Sequence, residues 1–511
     1  MKKTSIILMI ALAGLALRAW DIDLRGLNTD EVYTAKIALF DEHIDFRRDV
    51  HPPAYIEAVS AVGSIIPGSI EFKARAVSVF SGFAFILLMA YVGHLAGGFR
   101  GAVIAALLTA FDPGLIALSR LGRGYMFSAL ILGATFPLTW GLVRKPSDKK
   151  RIALLALASA LALYTFYYAA YLIAAQAAVA LIIFRRNRSG AISIGIATGL
   201  AGLAFIPWLP TLFSQMGRIA PGGGWTQWPL TPYEFARRAV QVFIHHSPFQ
   251  SFSDLAYFFG VKSGALITAL LAVLIIFGAW SSVRKRGADL RGFALADRAG
   301  GMGLGLPLML IVSVYVLAAV GHGWRGIYIG FPYFAFLAPP IMAIVIMALD
   351  VKKNRFTPSA IAAAIIAAHL VLIPGVRDAH REDIREAVHT FDRNAGGNAS
   401  AFTIAHFVKD AFTVYSSRPG PFYGLPVDLP GHSQIPRESP GVMTPKSEGA
   451  FKKLLAGREE IWLILSHEKR GGKDRGGTKS IRWLNESGFK ITGHGAARAV
   501  RWIVFRKGSG G

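Results

Sequence analysis

Residues 1–31 read MKKTSIILMIALAGLALRAWDIDLRGLNTDE, and the fold is decided here. Two lysines precede an apolar run from Ile6 to Leu17, the layout of a secretory leader. No small-residue cleavage site stands before Arg18 and Trp20, and more apolar blocks follow. The run is therefore expected to stay in the chain as a first membrane-spanning helix. Directly after it come two adjacent carboxylates, Asp30 and Glu31, behind Asn28 and Thr29, either of which suits a helix N-cap.

Working outward, the apolar pattern repeats. Of the 511 residues, 53% are hydrophobic and only 17% charged, well below the charged share of a soluble domain. Apolar windows of spanning length occur at 4–20, 76–95, 101–118, 126–143, 152–168, 169–184, 191–209, 263–283, 303–320, 327–349 and 358–375, about eleven in all. The break between the fifth and sixth, around Tyr164–Tyr171, is aromatic rather than polar. The net charge of +24 resides in short runs between these blocks. They are Lys2–Lys3, Arg100, Arg144 to Arg151, Arg185 to Arg188, Arg284 to Arg286, and Lys352 to Arg355. With this count all six fall on one side, which by the positive-inside rule is cytoplasmic. The N-terminus is then inside and the C-terminus outside. The chain is thus expected to be a multi-pass α-helical protein of the cytoplasmic (inner) membrane, and no basic-aromatic stripe argues for nucleic acid. No cysteine is present, so disulfides, thiolate catalysis and cysteine metal sites are excluded.

Three polar segments lie on the outer side: 21–75, 210–262 and 377–511. The expected division is a membrane domain over 1–376 and an extracytoplasmic α/β domain over 377–511. In the tail, Arg381–Asn394 and Lys479–Glu486 read as helices. Ala401–Phe407, Glu460–Ser466 and Val500–Phe505 read as strands, and the Pro- and Gly-rich stretch Arg418–Lys446 as loop. No internal repeat of fixed period is visible.

In the first loop, His51–Pro52–Pro53 makes a rigid non-helical turn, since each proline sets its own φ and restrains the residue before it. An acid pair after the first span followed by His–Pro–Pro resembles the membrane glycosyltransferases of the C-type fold. That family includes protein O-mannosyltransferases, the aminoarabinose transferase of lipid A and lipopolysaccharide galacturonosyltransferases. The resemblance continues through Glu71–Phe72–Lys73–Ala74–Arg75 and through Ser119–Arg120–Leu121–Gly122–Arg123–Gly124–Tyr125. It returns in the tail at Glu382–Asp383–Ile384–Arg385–Glu386–Ala387 and, late in the membrane domain, at Trp324–Arg325–Gly326–Ile327–Tyr328. Two positions depart from it: Leu121 stands where an acid is frequent, and Ile384 where an aromatic is usual. Asp112 could substitute for the missing acid, although Asp–Pro–Gly more commonly marks a helix end.

The resemblance implies an enzyme of the cell envelope, acting in lipopolysaccharide or protein glycosylation. It would move a hexosyl or pentosyl group, with inversion, from a polyprenyl-phosphate donor to a hydroxyl of an acceptor lipid, glycan or protein. Such a reaction needs a base for the acceptor proton and cations for the lipid phosphate. Asp30 is the candidate base. Glu31 would orient it, the acceptor or a metal, and adjacency leaves either acid as the base. Arg75, Arg123 and Arg325, like Arg18, fall at outer span ends against the charge bias; each also reads as a head-group anchor. His51 and Tyr125 are candidate substrate contacts. A divalent metal is possible but not required, and the adjacent pair His245–His246 is a poor ligand motif. The rival reading is a transporter, flippase or polymerase of lipid-linked glycans. It is disfavoured by charges that sit in loops and at span ends rather than mid-membrane.

Overall fold

The computed structural model describes residues 2–40, 51–218, 304–325, 331–349, 356–378, 382–426, 428–429, 443, 447–470 and 473–508. These divide into two compact units. A helical unit comprises Met1–Trp20, Asp45–Ala58 and Arg75–Asp378, and a sheet unit comprises Asp21–Ile44, Val59–Ala74 and Ala379–Gly511. Much of the first loop therefore packs with the tail.

In the helical unit the expected spans appear as α1 (Lys3–Ala19), α4 (Ile70–Phe111), α5 (Pro113–Ser119), α6 (Tyr125–Arg144), α7 (Lys149–Thr165), α8 (Ala169–Ile183) and α9 (Arg188–Phe205). Then follow α10 (Leu209–Arg218), α11 (Gly305–Arg325), α12 (Ala338–Ala348) and α13 (Phe356–Asp378). The span at 263–283, the loop with Pro221–Trp225 and His245–His246, and the basic runs at 284–286 and 352–355 lie outside the described residues. Among those described, four helical runs are long and apolar enough to cross a membrane: Ile70–Phe111, Tyr125–Arg144, Arg188–Met216 and Pro358–Gly375.

Local chemistry explains the breaks. α4 is interrupted at Gly98, whose φ of 67° and ψ of −158° only glycine adopts without strain. The chain doubles back there: a side chain on Gly93 would strike the carbonyl of Gly101. Asp112 caps α5, accepting from Leu115 N–H at 2.7 Å with Pro113 at N1, which is the helix-end role. Asp148 and Asn187 cap α7 and α9 in the same way, both within basic connections. Asn187 also donates to the Val143 carbonyl (2.7 Å), so these two basic connections meet. At the other end of α1, Lys3 Nζ lies 5.5 Å from the Phe99 ring, beside the Gly98 turn and Arg100.

Arg18 corrects an expectation. It does not reach for head groups but is fully buried. It donates to Ser119 Oγ (3.1 Å) and to the carbonyls of Gly14 (2.9 Å), Ala110 (2.8 Å) and Thr109 (3.0 Å). A side chain on Gly82 would collide with Ser119 Oγ and Arg18, so that glycine admits the clamp. Arg120 completes it, donating to the carbonyls of Arg18 (3.1 Å) and Trp20 (2.6 Å).

The sheet unit carries a five-stranded sheet of order β2-β1-β3-β7-β6, built from β1 (Ala399–Ile404), β2 (Phe422–Leu425), β3 (Glu460–Leu465), β6 (Phe489–Ala497) and β7 (Val500–Lys507). β2, β1 and β3 run parallel, while β7 and β6 are antiparallel to their neighbours. A two-residue ribbon, β4 (Lys469–Arg470) with β5 (Lys473–Asp474), stands apart. β1 and β3 are buried at every position, as parallel strands covered on both faces are. Trp462, Ile464 and Val504 face one core, shared with α14 (Ile384–Asn394), α15 (Asp410–Tyr415) and Leu27, Val32 and Ala35 of the first loop. Leu463, Ile503 and Phe505 face a second core with α16 (Glu448–Leu454) and α17 (Gly477–Glu486). Two strands of the five-stranded sheet escaped the sequence reading, as did the short ribbon. β2 lies in the stretch expected to be loop, where four residues suffice for a sheet edge. β6 carries mostly exposed side chains and two glycines, so it shows no apolar alternation.

Candidate active site

The acid pair lies in the sheet unit, at the start of α2 (Thr29–Leu39). Asn28 is the N-cap: its side chain accepts from Glu31 N–H at 3.0 Å, and Glu31 Oε2 accepts from Asn28 N–H at 3.0 Å. This reciprocal box places two neighbouring carboxylates in opposite environments. Glu31 is wholly buried, with one oxygen in the cap. Asp30, one position earlier, is exposed.

Behind that turn, two motifs far apart in sequence form one part-buried pair, of which Glu71 is the buried member. Arg385 of the tail donates to Glu71 Oε1 at 2.9 Å and to the carbonyls of Asp23 (3.1 Å) and Leu24 (2.7 Å). The Tyr415 hydroxyl donates to the same Glu71 oxygen (3.0 Å) and accepts from Leu27 N–H (2.8 Å). The chain leading from α1 to α2 is thereby fixed to the tail. Sequence reading had marked the Glu71 and Arg385 segments but not their pairing, and Tyr415 carried no signal at all.

The other candidates lie in the helical unit. The His–Pro–Pro turn ends where α3 (Ala54–Ile65) begins, and it holds His51 Nε2 2.7 Å from Arg123 Nη2. A guanidinium only donates, so Nε2 accepts. The Arg123 carbonyl accepts from Ser78 Oγ (3.1 Å), and Ser78 Oγ is 2.8 Å from the Tyr55 hydroxyl. Both ends of Arg123 are held, and the residue is largely buried. Arg75, in α4, is completely buried. Tyr125 opens α6 with its ring 6.0 Å from Phe166 and 5.5 Å from Tyr333. Tyr168 stacks on Phe166 (5.1 Å), so the aromatic break between α7 and α8 joins the same cluster. Tyr333 was missed because it stood inside an apolar window. Arg325 is the last residue of α11. Tyr328 and the His245–His246 pair lie outside the described residues.

Among the described residues, no group of three or more His, Asp or Glu side chains is placed to hold a metal ion.

No family model matches the sequence, and no curated protein matches it. Its structure does have counterparts. ArnT from Cupriavidus metallidurans bound to undecaprenyl phosphate superposes with a TM-score of 0.57 at 11% identity, over 99% of both chains. The same protein in the apo state gives 0.52 at 14% identity, over 98% of both. The Archaeoglobus fulgidus oligosaccharyltransferase complex with Zn and sulfate gives 0.51 at 13% identity, over 90% of this chain and 67% of that one. At such identities the likeness carries the architecture alone: this chain shares the fold of ArnT and of the archaeal oligosaccharyltransferase.

Proposed function

We propose that this protein is an integral-membrane glycosyltransferase that moves a sugar from a polyprenyl-phosphate donor to an acceptor hydroxyl on the outer face of the cytoplasmic membrane. The fold supports the class of reaction, and the ArnT counterpart was solved with undecaprenyl phosphate. One observation carries the assignment of roles. Glu31 is buried with an oxygen in the capping box, whereas Asp30 at the same helix start is exposed. Asp30 is the base.

In the proposed step the Asp30 carboxylate takes the acceptor proton as the acceptor oxygen attacks the anomeric carbon. The bond from that carbon to the phosphate oxygen breaks on the opposite side, giving inversion and free polyprenyl phosphate. A phosphate leaves without a strong general acid, so the remaining task is to stabilise its charge. Arg75, Arg123 and Arg325 are assigned to it, with His51 holding Arg123 and Tyr125 contributing to the sugar site. The sugar is a hexose or pentose, and the acceptor a lipid, glycan or protein.

The proposed topology is eleven spans, N-terminus inside, with residues 377–511 as an extracytoplasmic α/β domain. Contacts between the basic connections at Val143 and Asn187, and between Lys3 and Phe99, support that alternation. Reporter fusions at Lys149 and Lys353 should read cytoplasmic and one near Ser433 external; a cytoplasmic tail would remove the proposed site from the outer face. The deciding assay is sugar transfer by purified protein from a polyprenyl-phosphate donor. Asp30→Asn should bind donor normally and lose turnover by about 10²–10⁴, the general-base scale. Retention of more than about a tenth of wild-type turnover would move the base elsewhere.

A further inference from the structure

Asp30 stands on a helix of eleven residues whose first turn is held by a side-chain chain no motif announces. Thr29, the first residue of α2, donates from Oγ1 to Glu382 Oε2 at 2.6 Å. Glu382 Oε1 lies 2.8 Å from His467 Nε2, and His467 Nδ1 lies 3.1 Å from Ser466 Oγ at the end of β3. Glu382 is only 12% exposed. The Phe407 ring meets the His467 ring at 5.2 Å. His467 has a φ of 52°, in the left-handed region, where a non-glycine residue costs on the order of 1–2 kcal/mol. The surroundings of β3 thus keep a strained histidine where its ring meets Glu382. All of these residues belong to the sheet unit.

We propose that Glu382 is a positioning residue for Asp30, acting through Thr29, and that His467 in turn holds Glu382; this rests on Asp30 being the base. A carboxylate beside the first turn is favoured by the helix dipole, so the anchor also stabilises the turn it orients. Side-chain ends lie roughly 5–6 Å from a helix axis, so a rotation of about 10° carries a carboxylate through about 1 Å. A displacement of about 1 Å at a reacting group costs on the order of 10²-fold in rate. The capping box fixes where α2 starts. The Thr29–Glu382 hydrogen bond fixes which way the start faces.

The test compares Thr29→Val, Thr29→Ser, Glu382→Ala and Asp30→Asn in the full-length protein, with kcat and donor KM measured using a polyprenyl-phosphate sugar. Thr29→Val keeps size and removes the donor hydroxyl, and so it carries the test even where Glu382→Ala fails to fold. Thr29→Val and Glu382→Ala should each lower kcat by about 10–100-fold, the scale of a misplaced group, with donor KM within about twofold. Thr29→Ser should recover most of that loss. Added to Asp30→Asn, neither should lower kcat further, because both act through that carboxylate. Wild-type kcat in Thr29→Val beside an inactive Asp30→Asn overturns the positioning role and leaves the base assignment standing. A raised KM at unchanged kcat, or an additive loss on Asp30→Asn, also overturns it. An Asp30→Asn protein as active as wild type removes the base assignment and the positioning role together.

Discussion

Two arginines show how differently the two units handle buried charge. In the helical unit, Arg18 is fully buried and its hydrogen bonds go to three main-chain carbonyls and a serine hydroxyl. Two of those carbonyls, Thr109 and Ala110, belong to the last turn of α4, the negative end of that helix's dipole. Asp112 adds a longer-range attraction. In the sheet unit, Arg385 pairs with a buried carboxylate, Glu71, and shares it with Tyr415. Helix ends supply partial negative charge without a second desolvated ion, which suits a unit built of apolar helices. A sheet domain has only small net dipoles, so it brings a full counter-charge. Arginine placement in an apolar helix is therefore ambiguous between ligand and strut, and burial against carbonyls marks the strut.

The strongest way to break this division of labour is kinetic. If the base is Asp30 of the sheet unit, as proposed, Asp30→Asn should reduce kcat by about 10²–10⁴. If the proposed phosphate cations are Arg75, Arg123 and Arg325 of the helical unit, Arg75→Ala, Arg123→Ala or Arg325→Ala should weaken donor binding or rate by a few kcal/mol, roughly the scale of charge-assisted bonds in a site. Lysine should rescue poorly where two-pronged geometry matters. Unchanged kinetics in all three would make them struts like Arg18.

Stability sharpens the comparison next. Arg385→Met strands the Glu71 charge and should cost about 3–5 kcal/mol, and Glu71→Gln added to it should recover part of that. Arg18→Met strands neutral carbonyls instead, at about 1–3 kcal/mol for each one left dry. Thermal midpoints of the purified variants, read beside size-exclusion profiles, distinguish the two; equal rescue of Arg18→Met by Asp112→Asn would erase the distinction. Gly98→Ala should cost about 1–3 kcal/mol, since φ 67° with ψ −158° suits only glycine.

The smallest effect is in pH. Burial first, then the Arg475 guanidinium, hold His406 of the sheet unit below the usual histidine range, against Asp410 and Asp428. The folded state keeps it neutral while the unfolded chain protonates near 6.5. Its contribution to stability is present above that pH and lost as pH falls through the folded value. His406→Phe should flatten the midpoint-against-pH curve below about pH 6.5. A curve of unchanged slope would assign the acid sensitivity to another group.

How much was legible in advance follows from range. Apolar windows and basic runs are properties of consecutive residues, so the expected spans fall on helices wherever the chain is described, and the tail's buried strands β1, β3 and β7 were readable as apolar runs. The acid pair, the His–Pro–Pro turn and the arginines were legible as motifs because each is contiguous. Edge strands were not, because β2 is four residues long and β6 exposes most of its side chains.

Sequence alone determined a mostly helical fold with a C-terminal α/β segment, the placement of the acid pair after the first apolar helix, and a helix start at Asn28 or Thr29, because hydropathy and capping act over a few residues. Tertiary structure decided the rest. It separated Asp30 from Glu31 by burial, turned Arg18 from a surface cation into an internal clamp, and joined Glu71 to Arg385 and Thr29 to Glu382 across more than three hundred residues. Those outcomes depend on which side chains exclude water from one another, and that is settled only when distant segments share a core.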